Sequence, residues 1–292
     1  MTPSPLLPFS PALEQQLRAW LSEDIGRGDL TAAALIGRQG RAHWTSKANG
    51  VFCGGVLAEP LFQLLDGAVE VRDLVGEGER VTAGQRLLEL EGSAAALVAG
   101  ERTALNLAMR LSGIATATAA LVRQLEGTGV GLADTRKTTP GLRQLEKYAV
   151  RCGGGVNHRQ GLDDAAMLKE NHLAWSGGLV AAAAAARGSA PWPARLIVEA
   201  ETAAEAEAAV RAGADGVLLD EFSPAGLAEL VPRLRALAAA GPSGGVVLEA
   251  SGIQPDQLRQ YAATGIDLIS TSAPVTRSPW LDISMRHASI QI

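Results

Sequence analysis

Residues 129–172 read GVGLADTRKTTPGLRQLEKYAVRCGGGVNHRQGLDDAAMLKENH. Three short apolar runs in it, GVGLADT, GGVNH and AMLKEN, end in charged or hydrogen-bonding side chains. Arg136, Lys137, Arg143, Lys147, Arg151, Arg159 and Lys169 outnumber Asp134, Glu146, Asp163, Asp164 and Glu170. The whole chain leans the other way, with 26 Lys+Arg against 31 Asp+Glu. His158 and His172, two of only four histidines, fall in the same stretch. A cationic cluster inside an acidic chain suits a small polyanion, whereas a nucleic acid would need a broad basic face.

Downstream the rhythm repeats. RLIVEAE, GVLLDEF, VVLEASG and LISTSAP are further strand-like runs, with helix candidates over 173–187, 203–212, 225–240 and 256–264. Continuous apolar strands alternating with helices predict a parallel sheet buried on both faces. About seven such units predict a closed or nearly closed α/β, TIM-like barrel, with an open doubly wound sheet as the alternative. No GxGxxG follows the first strand and no P-loop occurs, which argues against a nucleotide-binding α/β fold.

Upstream, residues 11–21 have helical spacing, with Leu13, Leu17, Trp20 and Leu21 on one side, and SEDIGRGDLT is turn-like. From Arg41 to Gly92 short strands alternate with glycine turns. VGEGERVTAGQRLLELEG has the cadence of a lipoyl or biotinyl carrier but no Lys to carry the group, so it reads as a structural sandwich-like module. Residues 93–126 read as one or two helices broken at Gly113, and spacing alone favours a solvent-exposed helical pair.

The 292 residues are 47% hydrophobic and 20% charged, the profile of a soluble globular chain with one large domain or two smaller ones. Cys53 and Cys152 make no disulfide framework or zinc spacing, and a reduced, cytoplasmic home is expected. The N-terminal segment has no charged n-region, and the apolar run 179–186 is too short to span a bilayer. Neither a membrane nor a nucleic-acid partner is expected.

In α/β barrels the site gathers at the C-terminal strand ends. Here those ends carry Asp134, Arg136 and Lys137; Asn157, His158 and Arg159; Lys169 and Asn171; Glu199 and Glu201; Asp220; Glu249 and Ser251; Ser270 and Ser272. The first three strands supply cations and the next three carboxylates. Arg grips carboxylates and phosphates, and Asp and Glu hold Mg²⁺ beside substrate phosphates. The pattern predicts a pocket for a carboxylate-bearing molecule beside a metal-bound phosphorylated one. No Ser–His–Asp or Cys–His logic stands out. Arg143, Lys147 and Arg151 read mostly as a solvated helix face or as outer anchors, His172 as structural support for Lys169, and Asn157 as a group behind the site.

The motifs EDIGRGDLT (23–31), ERTALNLAMRLSGIAT (101–116), DTRKTTPGLRQLEKYAVRCGGGVNHR (134–159), LKENH (168–172), GADGVLLDEFSP (213–224), LEASG (248–252) and LDIS (281–284) resemble those of the quinolinate phosphoribosyltransferase family. The resemblance implies an N-terminal α/β sandwich domain over residues 1–114, a seven-stranded α/β barrel over 115–279, and a C-terminal segment, 280–292, packing back on the first domain. It implies joining of quinolinate to phosphoribosyl pyrophosphate with Mg²⁺ and no organic cofactor, giving nicotinate mononucleotide, pyrophosphate and CO₂. Carried over by motif, Arg136, His158, Arg159 and Lys169 bind the quinolinate carboxylates, and Arg102 reaches quinolinate from the neighbouring subunit of a homodimer or higher homo-oligomer. Lys137 contacts the phosphoribosyl substrate, Glu199 and Asp220 face its ribose and Mg²⁺–pyrophosphate, and Ser251, Gly252 and Ser272 hold the 5′-phosphate. LEASGI has one glycine where many relatives have two, and Ser272 and Thr276 replace a common glycine and histidine, so a variant phosphate cradle is expected. The alternatives are a molybdenum-operon-type paralogue and a non-catalytic small-molecule-binding protein on the same scaffold.

Overall fold

The computed structural model describes residues 5–241 and 244–288. In chain order the elements are α1 (Pro11–Ile25), β1 (Gln39–Ser46), β2 (Gly50–Val51), α2 (Ala58–Gln63), β3 (Glu70–Asp73), β4 (Arg80–Val81), β5 (Arg86–Ser93) and α3 (Ala94–Leu125). Then come β6 (Gly131–Ala133), α4 (Arg143–Cys152), β7 (Ala166–Leu168), α5 (Glu170–Trp175), α6 (Leu179–Ser189), β8 (Leu196–Ala200), α7 (Ala203–Arg211) and β9 (Gly216–Asp220). α8 (Pro224–Ala239), β10 (Val247–Ser251), α9 (Leu258–Ala262), β11 (Leu268–Ser270), α10 (Ala273–Arg277) and β12 (Ile283–His287) follow. The chain splits into two units. One draws on Met1–Ala119, Thr138–Gly154 and Ala273–Ile292, the other on Ala120–Lys137 and Gly155–Ser272.

The first unit is built on an antiparallel sheet in the order β12-β1-β5-β3. α1 opens on Ser10, whose hydroxyl accepts from the Leu13 amide, with Pro11 in its first turn, and Leu13, Leu17 and Leu21 are buried. α1 runs on to Ile25, so the first residues of the expected SEDIGRGDLT turn are helical; the chain leaves at Gly26 with φ +56°. Trp44, Phe52 and Phe62 are fully buried in this unit's core. Each such side chain contributes roughly 1.5–3 kcal/mol of burial.

α3 corrects the expectation of a broken, solvent-exposed helical pair. Residues 94–125 form one continuous helix of 32 residues, with Leu105, Leu111 and Ile114 buried. Gly113 is there for clearance: a Cβ would lie 2.1 Å from the Pro279 carbonyl oxygen. Among the described residues α3 is the one helix long and apolar enough to cross a membrane, and half of its most apolar window is buried, as in a core helix.

α4 corrects another reading. Arg151 is exposed, but Lys147 is fully buried, so its helix does not present a solvated basic face there. Beside it the buried Glu146 carboxylate accepts from Arg110 Nη2 at 2.8 Å, from the Thr139 amide at 2.8 Å and from Thr139 Oγ1 at 2.9 Å. In the same unit Glu77 ties three segments together. It accepts from the Gly54 amide at 2.8 Å, the Val56 amide at 3.0 Å and Tyr148 Oη at 3.0 Å, with Cys152 Sγ at 4.0 Å.

The second unit is a parallel sheet in the order β6-β11-β10-β9-β8-β7. Six of the seven predicted runs became strands. The GGVNH run makes only one parallel bridge, Ala133 to Val156. Three glycines precede it, which strands disfavour. Past Val156 the Asp134 carboxylate then replaces the ladder, accepting from the His158 amide at 2.8 Å and Asn157 Nδ2 at 2.7 Å. Among the described residues no ladder joins Val156 to β7.

Strand register sorts this sheet's two faces. Val198, Val217, Leu219, Leu248, Ala250 and Ile269 belong to one apolar cluster with residues of α6, α7, α8 and α9. The alternate face is layered. Ile197 aligns with Gly216 and Val247; Glu199 with Leu218, Glu249 and Leu268; and Asp220 with Ser251. Polarity therefore rises along this inner face toward the C-terminal strand ends.

Candidate active site

The charged groups of the second unit meet on that inner face and in the loops after it. Arg136 and Lys137 follow β6 and are exposed; the Lys137 amide donates to Thr135 Oγ1 at 3.0 Å. Arg159 is only 9% exposed, and its Nη1 donates to the Ala165 carbonyl at 2.9 Å. Burial, and then the charge of Arg136, push the Arg159 pKa below the usual guanidinium value, with Asp164 acting the other way. A desolvated cation that feels a second one is a setting in which an anion is favoured.

His158 stands beside Arg159. Its Nδ1 accepts from the Arg159 amide at 2.7 Å, and its Nε2 lies 3.3 Å from Glu249 Oε2. Lys169 precedes α5 and is ion-paired with Glu199, the adjacent inner-face residue on β8. The Lys169 amide donates to His172 Nδ1 at 3.2 Å, so His172 braces the Lys169 backbone, the supporting role expected of it.

Asp220 closes β9 and accepts from the Ser251 hydroxyl at the end of β10. Glu221, directly after it, has φ +56°, the one positive φ outside glycine among the described residues. Such strain persists only where the surroundings hold it. Here the Tyr261 hydroxyl donates to the Phe222 carbonyl at 2.9 Å, and Ser223 caps α8. Gly252 has φ +77°, and a Cβ there would come 3.2 Å from the Glu221 side chain. Ser272 follows β11 by two residues. Thr276 lies on α10 and Arg102, exposed, on α3, both in the first unit.

The carboxylates feel one another. The exposed Glu201 carboxyl is held above its ordinary pKa, mostly by Glu170, then by lost hydration, then by Glu205, Asp220 and Glu199. Hard oxygen donors crowded in a hydrated setting suit Mg²⁺, which keeps several waters and prefers carboxylates with phosphates. The Cys53–Glu77–Cys152 group, by contrast, spends both Glu77 oxygens on amide and phenol donors.

Sequence reasoning placed Glu249 at a strand end but gave it no role; only strand register reveals that it lies under His158. Asp134 was likewise given none, though its carboxylate fixes the segment that carries His158 and Arg159.

Two family models match: the Quinolinate phosphoribosyl transferase N-terminal domain over residues 29–112 and its C-terminal domain over 114–286. The "Probable nicotinate-nucleotide pyrophosphorylase [carboxylating]" of Synechocystis sp. is 43% identical, covering 97% of this chain and 96% of that protein. The human "Nicotinate-nucleotide pyrophosphorylase [carboxylating]" is 40% identical over 92% of this chain and 89% of its own. The crystal structure of NadC from Streptococcus pyogenes superposes with a TM-score of 0.86 at 36% identity, covering 97% and 99% of the two chains.

Proposed function

Since the chain belongs to the quinolinate phosphoribosyl transferase family, we propose how its strand-end residues divide the family's work. The reaction transfers phosphoribosyl from phosphoribosyl pyrophosphate to quinolinate and yields nicotinate mononucleotide, pyrophosphate and CO₂. In reverse it takes up CO₂, the sense of "carboxylating" in the relatives' names. Those names support this reading over a paralogue of other function or a non-catalytic binding protein.

Arg136, Arg159 and Lys169 receive the two quinolinate carboxylates, with His158 beside them. The pyridine nitrogen lone pair attacks C1 of the ribose while the C1–O bond to pyrophosphate breaks. Positive charge builds on the ribose at that moment, and Glu199 and Asp220 stabilise it. Lys137 neutralises the departing pyrophosphate, and Ser251, Gly252 and Ser272 hold the 5′-phosphate. The product ring is a pyridinium. When the bond from C2 to its carboxylate breaks, the electron pair stays at C2 beside the cationic nitrogen, and a proton replaces the CO₂. Mg²⁺, held by Glu199 and Asp220 through water and substrate, would supply charge neutralisation at the pyrophosphate. No organic cofactor enters.

We also assign the enzyme to the cytoplasm and to a homodimer or higher homo-oligomer, in which Arg102 serves the partner subunit's quinolinate pocket.

The gathering of Arg136, His158, Arg159 and Lys169 at the C-terminal strand ends of one parallel sheet, with Arg159 only 9% exposed, carries the substrate assignment, because a dicarboxylate complements those cations. The test is product formation from quinolinate and phosphoribosyl pyrophosphate with Mg²⁺, with nicotinate in parallel. Nicotinate mononucleotide and CO₂ in equal amounts from quinolinate are expected. Turnover of nicotinate alone would reassign the substrate.

A further inference from the structure

Arg110 on α3 and Glu146 on α4 form an ion pair whose side chains are 17% and 0% exposed. Arg110 Nη2 donates to Glu146 Oε1 at 2.8 Å and to the Val275 carbonyl on α10 at 2.5 Å. A helical donor for that carbonyl would come from residue 279, and Pro279 has no N–H, so the guanidinium satisfies an orphaned acceptor. From the other side the Thr139 amide donates to Glu146 Oε2 at 2.8 Å, and Thr139 Oγ1 donates to Oε1 at 2.9 Å. Two loops therefore end on this one pair. The first leaves β6 after Ala133, carries Arg136 and Lys137, and reaches the pair at Thr139. The second leaves β11 after Ser270, carries Ser272, and reaches it at Val275. The loops also begin together: Ala133 and Ser270 are register partners on neighbouring parallel strands, and the Thr271 amide donates to the Ala133 carbonyl at 3.0 Å.

We propose that Arg110, acting through Glu146, is a positioning residue that sets the span between the pyrophosphate subsite at Lys137 and the 5′-phosphate subsite at Ser272. This rests on the phosphoribosyl pyrophosphate assignment above. That substrate carries pyrophosphate on C1 and phosphate on C5 of one ribose, so it engages both loops at once. Loops pinned to each other at entry and at exit spare the ordering cost that two free loops would add to binding. A fragment bearing only one of those groups uses one loop and gains nothing from the span. Arg110 itself touches neither group.

Steady-state kinetics of the full-length protein with Mg²⁺ and saturating quinolinate test it. The quantities read are the phosphoribosyl pyrophosphate KM, the inhibition constants of pyrophosphate and of ribose 5-phosphate as competitors, and the quinolinate KM. The double variant Arg110→Met/Glu146→Met removes both charges together, so no lone carboxylate is left buried. It is expected to raise the phosphoribosyl pyrophosphate KM about tenfold, while both inhibition constants and the quinolinate KM stay within about twofold of wild type. Thr139→Val frees only the first loop and is expected to raise the same KM about threefold; Thr139→Ser, which keeps the hydroxyl, is expected to match wild type. An unmoved phosphoribosyl pyrophosphate KM overturns the proposal. So does a rise in the fragments' inhibition constants equal to the rise in KM, the mark of general damage to the fold. If the double variant does not fold, Thr139→Val against Thr139→Ser decides alone. Absence of nicotinate mononucleotide from wild-type enzyme overturns the functional reading and this proposal with it, whereas a productive wild type with unmoved variants overturns this proposal only.

Discussion

Lys169, just past β7, and Glu199, on the neighbouring β8, neutralise each other: the ammonium that should grip quinolinate is ion-paired with the carboxylate that should face the ribose. The side chains are 43% and 13% exposed, so the pair is partly hydrated and modest in strength. Substrate binding must part them, one cation going to a carboxylate and one carboxylate to a developing cation. Glu199→Gln should therefore tighten quinolinate binding up to about fivefold when phosphoribosyl pyrophosphate is absent, because Lys169 is released. Turnover should fall by about 10²–10³. Titration calorimetry and steady-state rates on one preparation check both, and wild-type values in both would remove the two roles together.

Arg159 should be the cation whose loss costs most, being more buried than Arg136 and Lys169, the other two assigned to the quinolinate carboxylates. Arg159→Ala should raise the quinolinate KM roughly 10- to 150-fold, the range for a lost charge-assisted hydrogen bond. The circular dichroism spectrum should not change.

Arg102 offers a test of subunit sharing. Assayed at quinolinate near the wild-type KM, Arg102→Ala and Arg159→Ala should each lose most of their activity alone. Mixing them through a dissociation and reassociation cycle should restore roughly a quarter of wild-type activity, since one site in a mixed dimer keeps both arginines. No recovery would confine Arg102 to its own chain or remove it from the site.

Cys53 sets an alkaline limit on stability. Burial, aided by the neighbouring Cys152 and Glu77, pushes its thiol well above the ordinary thiol range. Tyr148 is pushed up in the same way, by burial first and then by Glu77. An acid whose folded pKa is raised stabilises the fold while it is protonated in both states, and that contribution is lost as pH rises past the unfolded value. The urea midpoint should fall above about pH 9, where an unfolded thiol ionises. Cys53→Ala should flatten part of that slope. Below that pH iodoacetamide should label Cys53 only after unfolding.

The parallel strands were readable because each is apolar on the face that meets helices and ends in chemistry. What the order of residues hides is competition for the same backbone groups. Val156 lies in a strand-like run, yet the Asp134 carboxylate takes the His158 amide and the ladder stops. Gly113 looks like a helix break until the Pro279 carbonyl is found where its side chain would be. Lys147 looks solvated because lysines usually are, and it is fully buried. Motif resemblance marked the cations, but the pairing of His158 with Glu249 joins residues 91 positions apart and needs strand register to be seen.

The sheet order β12-β1-β5-β3 has a bearing on how the polypeptide is made. β1 emerges from the ribosome early, yet the strand that covers its outer edge is translated only after the entire parallel sheet. At about 5–20 residues/s that interval is roughly 10–50 s. For that time the nascent chain carries an open strand edge, the feature that invites pairing with other chains. The earliest unit to appear is thus completed last, and expression yield should depend on what shields that edge during translation.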